Sequence, residues 1–245
     1  MNSTIESILN HRSIRSYTNE PINNDQLDLI LKTTQAGPSS INGQQMSVIV
    51  VTDQETKDKI AAFAGGQTWI SQAPVFLLFV SDFYRAKLAA QKNKRELVIA
   101  SNMEGTLVGS IDVGIALGQT IAVAESLGLG TVCIGGIRNN PQGMIDLLNL
   151  PDYVYPMVGL CIGHPKSDDI PAQKPRLPRE AVVHQGRYNH DLQAHLDQYD
   201  ETIASYMEAR GGDVHNWSGF ISSFYDKVYF PKVSSTLRSQ KYTCE

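Results

Sequence analysis

Cysteine is scarce in this chain of 245 residues: Cys133, Cys161 and Cys244 lie far apart, with no CxxC pair and no histidine at ligand spacing. That excludes a disulfide framework and a cysteine-built metal centre. Cys133 and Cys161 fall in apolar, strand-like runs and are expected to be inert core thiols. An excess of basic charge is also missing. The net charge of −4 excludes the broad positive footprint of a general nucleic-acid binder. The apolar run Val75–Val80 is too short for a bilayer, and Thr106–Leu129 is interrupted by Asp112, Gln119 and Glu125. The opening MNSTIESILNHR is polar where a signal peptide needs an apolar core. A soluble, cytoplasmic protein with no membrane or nucleic-acid partner is expected. Walker A, the helix-opening G-x-G-x-x-G, a Ser/His/Asp arrangement and a carboxylate pair are all lacking. So are internal repeats.

What remains is a chain with 42% hydrophobic residues, long enough to bury one large core. Ser3 followed by Glu6 reads as a capping box for a helix running to about His11. A second helix starts near Asn23–Asn24, turns Leu27, Ile30 and Leu31 inward, and stops at Gly37-Pro38. Ser47–Thr52, Pro74–Ser81, Thr131–Ile134 and Pro156–Ile162 read as buried strands, with Asp53 capping a helix after the first. Residues 105–127 form the longest apolar helix. Gly105/Gly109 and Gly114/Gly118 notch its faces, either for packing inside the chain or against a second copy. A helix is expected around Asp191–Ala209, and the last twenty-odd residues show little periodicity. Strands alternating with helices indicate an α+β (α/β sandwich) fold, a sheet with helices on both faces.

Four stretches carry groups suited to a ligand. In His11-Arg-Ser-Ile-Arg-Ser-Tyr17, helical spacing would bring His11 and Arg15 onto one face, either as a helix-end complement to the macrodipole or as a cradle for an anion. The loop Gly37-Pro-Ser-Ser-Ile-Asn-Gly-Gln-Gln45 is dense in hydroxyls and amides just before a strand. Strand Thr131–Ile134 delivers a Gly135-Gly136 turn whose bare backbone can approach a ring or phosphate closely. Lys174-Pro-Arg-Leu-Pro178 holds Lys174 and Arg176 on a stiff extended strip. Binding groups without a nucleophile or general acid–base describe a protein whose cofactor carries the chemistry.

Taken in order, HRSIRSYTNEPI, the Ser39-Ser40 pair with Gln44 downstream, GGQ at 65–67, AESLGLGTVCIGGIRNNP at 124–141 and KPRLP at 174–178 resemble the nitroreductase family. The likeness is to its oxygen-insensitive NADPH–flavin oxidoreductase branch. It implies a central mixed, mainly antiparallel sheet flanked by helices, in an intertwined FMN-containing homodimer. The whole of 1–245 would be one such domain, with a wrapping excursion over 185–245. It implies that His11, Arg12, Ser13, Arg15, Gln67, Ile134, Gly135, Gly136, Lys174 and Arg176 hold FMN, joined by Ser39, Ser40 and Gln44 of the loop, with Ser39 and Ser40 reaching in from the partner. Ile41, Asn42 and Arg210 are implied at the substrate and nicotinamide-nucleotide side. No metal and no protein nucleophile are needed. The implied reaction is ping-pong: NAD(P)H gives hydride to flavin N5, and a nitroaromatic, quinone or free flavin takes two electrons from the same face. The same cations also suit a non-catalytic binder of FMN or another phosphorylated ligand, and the fold also suits a flavoenzyme of different chemistry. One departure stands out. Glu208-Ala-Arg-Gly-Gly-Asp-Val-His-Asn-Trp217 keeps Arg210 but is short and otherwise non-basic where the branch binds the NADPH 2′-phosphate, so weak discrimination against NADH is expected.

Overall fold

In the computed structural model, which describes residues 2–211 and 213–242, Asn2 rather than Ser3 caps the first helix, its side chain accepting from the Ile5 N–H. That helix, α1 (Ser3–Leu9), ends two residues before His11, so the basic stretch lies outside it. Helix α2 (Asn24–Gln35) starts where expected, with the Asn23 side chain capping it, and buries Ile30. After the loop comes β1 (Met46–Val51), which is half-buried rather than buried because it forms a sheet edge. The Asp53 carboxylate accepts from the Thr56 N–H and caps α3 (Gln54–Phe63) as the sequence suggests. Gly65 and Gly66, both at positive φ, turn the chain into α4 (Thr68–Gln72).

The central strand is β2 (Val75–Asp82), buried over its full length. Helix α5 (Tyr84–Lys92) and the long α6 (Met103–Ser126) follow, then β3 (Gly130–Ile134), a short 3-10 turn (Gly135–Asn139), α7 (Pro141–Leu147) and β4 (Val154–Gly163). The sheet order is β1-β2-β4-β3, and every one of these pairings is antiparallel. Among the described residues the parallel component is a single bridge, Ser13 to Thr131.

Side-chain alternation along β2 divides the interior in two. Phe76, Leu78 and Val80 pack with Ile60, Ile70 and Met144 from α3, α4 and α7. Val75, Leu77 and Phe79 pack with Ile30, Val113 and Ala116 from α2 and α6. Helices therefore cover both faces, and the strand has no polar side to expose.

Helix α6 is long and apolar enough to cross a membrane by length and composition, yet only 33% of its most apolar stretch is buried in the chain. Its glycines separate into two pairs. A Cβ at Gly105 would stand 2.4 Å from the Ile99 carbonyl oxygen, and one at Gly109 would stand 2.1 Å from Ser81 Oγ. Those two admit close packing inside the chain. Gly114 and Gly118 face open space, on the stripe that exposes Met103, Leu107 and Ile111.

The chain divides into two compact units, 1–171 with 230–245, and 172–229. The helix expected around Asp191–Ala209 is α8, and beyond it the chain carries structure that its weak periodicity concealed. In the second unit α8 (Gln193–Ala209) pairs with α9 (Trp217–Tyr225), with Tyr199 and Trp217 rings edge-on at 5.9 Å. The Asp200 carboxylate accepts from both the N–H and the hydroxyl of Ser218, and these bonds hold its pKa below the usual carboxylate value. In the first unit α10 (Lys232–Ser239) delivers Tyr242 to a buried cluster with Phe83, Ala100 and Tyr155.

Candidate active site

The stretch from His11 to Tyr17 is extended, not helical, and it docks beside β3. The Ile14 N–H donates to the Thr131 carbonyl at 2.8 Å, Ile14 is buried, and the Tyr17 hydroxyl donates to the Ile14 carbonyl at 2.7 Å. Burial raises the Tyr17 pKa far above that of a free phenol, so the hydroxyl stays neutral and keeps the proton it donates. The convergence expected from helical spacing is therefore absent. Extended backbone sends Arg12 and Arg15 to different sides. Arg12 lines a groove with Ser7, Asn10 and Gly128. Arg15 reaches over Trp69 of α4, its guanidinium carbon 5.6 Å from the ring centroid. His11 turns back to α6, where its Nδ1 is 2.8 Å from Glu125 Oε1.

At the end of β3, Ile134 is buried and the chain enters the Gly135-Gly136 turn. Gly136 sits against the α3–α4 junction: a Cβ there would stand 2.2 Å from Gln67 Nε2 and 2.7 Å from the Ala64 carbonyl oxygen. Gln67 in turn donates to that carbonyl at 2.9 Å. Lys57 fixes the other end of α4, its Nζ donating to the Ala73 carbonyl at 2.7 Å, with desolvation pulling its pKa down. Arg15, Trp69, Gln67 and the glycine turn thus form one neighbourhood: two polar side chains and an aromatic ring beside backbone that carries no Cβ.

Ser39, Ser40 and Gln44 are not part of it. They precede β1, whereas the neighbourhood above lies beyond β3. These are opposite edges of a four-stranded sheet, about 14 Å apart at roughly 4.8 Å per strand. The Ser40 N–H donates to Asp112 Oδ1 of α6 at 3.1 Å, and the Gln44 N–H donates to Ser39 Oγ at 3.2 Å. Ile41, Asn42 and Gln44 all have positive φ, and Ile41 is 94% exposed.

In the second unit, Tyr199 donates to the Pro175 carbonyl at 2.8 Å and Tyr206 to the Ala172 carbonyl at 3.1 Å. These bonds hold the strip carrying Lys174 and Arg176, both exposed. Arg210 caps the end of α8 and is exposed.

Cys133 corrects an expectation. It is exposed, unlike its β3 neighbours Val132 and Ile134, whereas Cys161 on the inner strand β4 is buried. Enclosure of the sulfur, then the nearby Glu125, raise the Cys133 pKa; burial raises that of Cys161 much further. Cys244 lies outside the described residues. Trp69, Glu125, Asp112 and Arg85 were not singled out by sequence. Glu125 and Asp112 did leave a trace, since a carboxylate inside an apolar helix needs a partner to be worth burying.

Comparison with known proteins adds a second line. Residues 8–164 match the nitroreductase family and residues 174–245 match the nitroreductase family C-terminal domain. The chain is 52% identical over 250 residues to an FMN reductase [NAD(P)H] of Bacillus subtilis (strain 168), covering 100% of both. It is similar to the solved structure of B. megaterium NfrA2, with TM-score 0.97, 48% identity and 100% of both chains covered. A TM-score of 0.90 with 35% identity, over 100% of both chains, relates it to NADPH:FMN oxidoreductase from Vibrio harveyi, solved complexed with NAD+.

Proposed function

The chain belongs to the nitroreductase family, and on that premise we propose that it is an FMN-dependent NAD(P)H oxidoreductase that reduces quinones, nitroaromatics or free flavin by two electrons. The observation that carries the site is the Gln67–Gly136 contact beside Arg15. There the backbone is bare, a Cβ would collide, and a guanidinium lies alongside over Trp69. That arrangement fits a flat ring with a phosphate tail. When bound, FMN supplies the reversible two-electron chemistry.

The chain's own residues bind and orient. Arg15 offsets part of the roughly two negative charges of the phosphate, while Arg12 points to the other side of the strip. Ser13 and His11 are assigned to the strip beside it, and Lys174 and Arg176 stay exposed on their own pinned strip. Gln67 offers an amide to the polar edge of the ring, while Ile134, Gly135 and Gly136 offer backbone. A cation near the pyrimidine edge favours the anionic reduced ring and so eases its reduction. Balanced over a turnover, NAD(P)H and one proton convert a quinone to its hydroquinone and leave NAD(P)+. Donor and acceptor use one face in turn, a ping-pong order.

A second copy completes the site in this reading. Ser39, Ser40 and Gln44 lie on the wrong sheet edge to reach Gln67 within one chain. The uncovered stripe of α6, with Gly114 and Gly118 bare, offers the surface for a homodimer. Such a helix is claimed by its own sheet and its copy rather than by a membrane, in keeping with a cytoplasmic enzyme.

The test is optical. Purified protein incubated with FMN should be yellow, NADPH or NADH should bleach it without oxygen, and a quinone should restore the colour. Protein that takes up no FMN overturns the reading; yellow protein that neither nucleotide reduces leaves a binding protein.

A further inference from the structure

The loop before β1 has an unusual support. Ile41, Asn42 and Gln44 all occupy the left-handed region, at φ 49°, 56° and 53°. For a β-branched residue such as Ile41 that conformation is a true outlier and persists only when its surroundings impose it. Packing does not impose it, because Ile41 is exposed and the loop's flanks, Ser39 and Gln44, border a cavity of about 490 Å³ shared with Leu31, Val48 and Ala116. Polar anchors do. On one flank Asp112, buried in α6, accepts the Ser40 N–H through Oδ1, while its Oδ2 has no partner among the described residues. On the other flank the Arg85 guanidinium donates to the Gln44 carbonyl at 2.5 Å and to the Met46 carbonyl at 2.9 Å. Arg85 is itself held by Asp82 Oδ2 at 2.7 Å and Ser47 Oγ at 2.6 Å.

We propose that Arg85 and Asp112 are positioning residues that clamp the Ser39–Gln44 loop in its strained conformation, so that Ser40, Ile41 and Asn42 meet the flavin and the acceptor already arranged. The proposal rests on the reading of this loop as one wall of the flavin site. A guanidinium fork makes an effective clamp, since one planar group reaches two carbonyls and a carboxylate together, which a lysine cannot do. The strain is stored in the loop and repaid at the anchors, leaving the acceptor wall preorganised.

Arg85→Met and Asp112→Ala would each be compared with the parent enzyme. The expected result is an acceptor KM raised about tenfold with kcat within about twofold, the pattern of lost positioning rather than lost chemistry. Amide hydrogen exchange over residues 39–44 should rise while the β2 amides keep their protection. Arg85→Lys should not rescue. Ile41→Asn in the Arg85→Met background should restore part of the loop protection, because asparagine tolerates the left-handed region. Parent-like KM and exchange in both clamp variants overturn the proposal. Ser40→Ala and Ile41→Ala separate the two ideas: if they alter FMN affinity or acceptor KM while the clamp variants do not, only the clamp fails. If they too are silent, the loop is no part of the site and both readings fall.

Discussion

His11 Nδ1 and Glu125 Oε1 stand 2.8 Å apart, and the same carboxylate oxygen accepts the Thr131 hydroxyl at 2.7 Å. One nearly buried carboxylate on α6 thus ties the N-terminal strip to β3, and on the proposed reading it steadies one wall of the FMN site. It also fixes the imidazole with Nδ1 turned inward and leaves Nε2 for a ligand, as a second partner commonly does for histidine. Glu125→Ala should weaken FMN binding about tenfold, measured by fluorescence titration of the apoprotein, since it frees the strip and strands two donors. Glu125→Gln retains an acceptor oxygen and should lose less. Equal losses in both variants would assign the role to charge instead of position.

Arg15 is exposed and makes one weak hydrogen bond of its own, to the Ser13 carbonyl at 3.4 Å. Removing it costs the fold little. Arg15→Ala should lose FMN on dialysis with the melting temperature of the apoprotein unchanged, and retention of FMN at parental affinity would remove Arg15 from the site.

Adjacent glycines give opposite forecasts. A Cβ at Gly136 meets Gln67 Nε2 at 2.2 Å and the Ala64 carbonyl at 2.7 Å, and backbone cannot yield. At Gly135 it meets only the far end of Arg138 at 3.1 Å, which can swing away. Gly136→Ala should therefore purify largely without flavin and Gly135→Ala with it. The absorbance ratio of bound flavin to protein reads both, and indistinguishable ratios contradict the cradle.

Gly114→Leu and Gly118→Leu add side chains where one chain has nothing within 4 Å. By helix propensity alone each should help α6 by up to about 1 kcal/mol. If a second copy packs there, light scattering after size exclusion will show monomer, with FMN content falling in step. A dimer that survives both substitutions places the interface elsewhere.

With Arg210 read as the nucleotide-side cation, nucleotide choice is expected to follow from the segment after α8. Only Arg210 offers a cation for a 2′-phosphate there, with Asp213 close behind. The ratio of kcat/KM for NADPH over NADH should lie below a hundredfold, equivalent to about 2.7 kcal/mol. A larger ratio would show that other cations read the phosphate.

What the sequence determined by itself was local or motif-borne. The helix start near Asn23–Asn24, the Asp53 cap, the apolar run Pro74–Ser81 and the glycine pairs on α6 depend on neighbours within a few residues, where propensity and periodicity are strong. Five motifs in register named the family without any geometry. The tertiary structure decided the rest. His11–Tyr17 looked like a helix end, but pairing with Thr131 drew it out into an extended strip, because a backbone bond to a distant strand outweighs a weak local preference. Cys133 and Cys161 look alike in sequence; only strand order puts one on an edge and the other inside. Glu125 and Asp112 read as interruptions in an apolar run until folding supplied partners 114 and 72 residues away. Which carboxylate serves which loop is a matter of long-range pairing, and no local pattern encodes it.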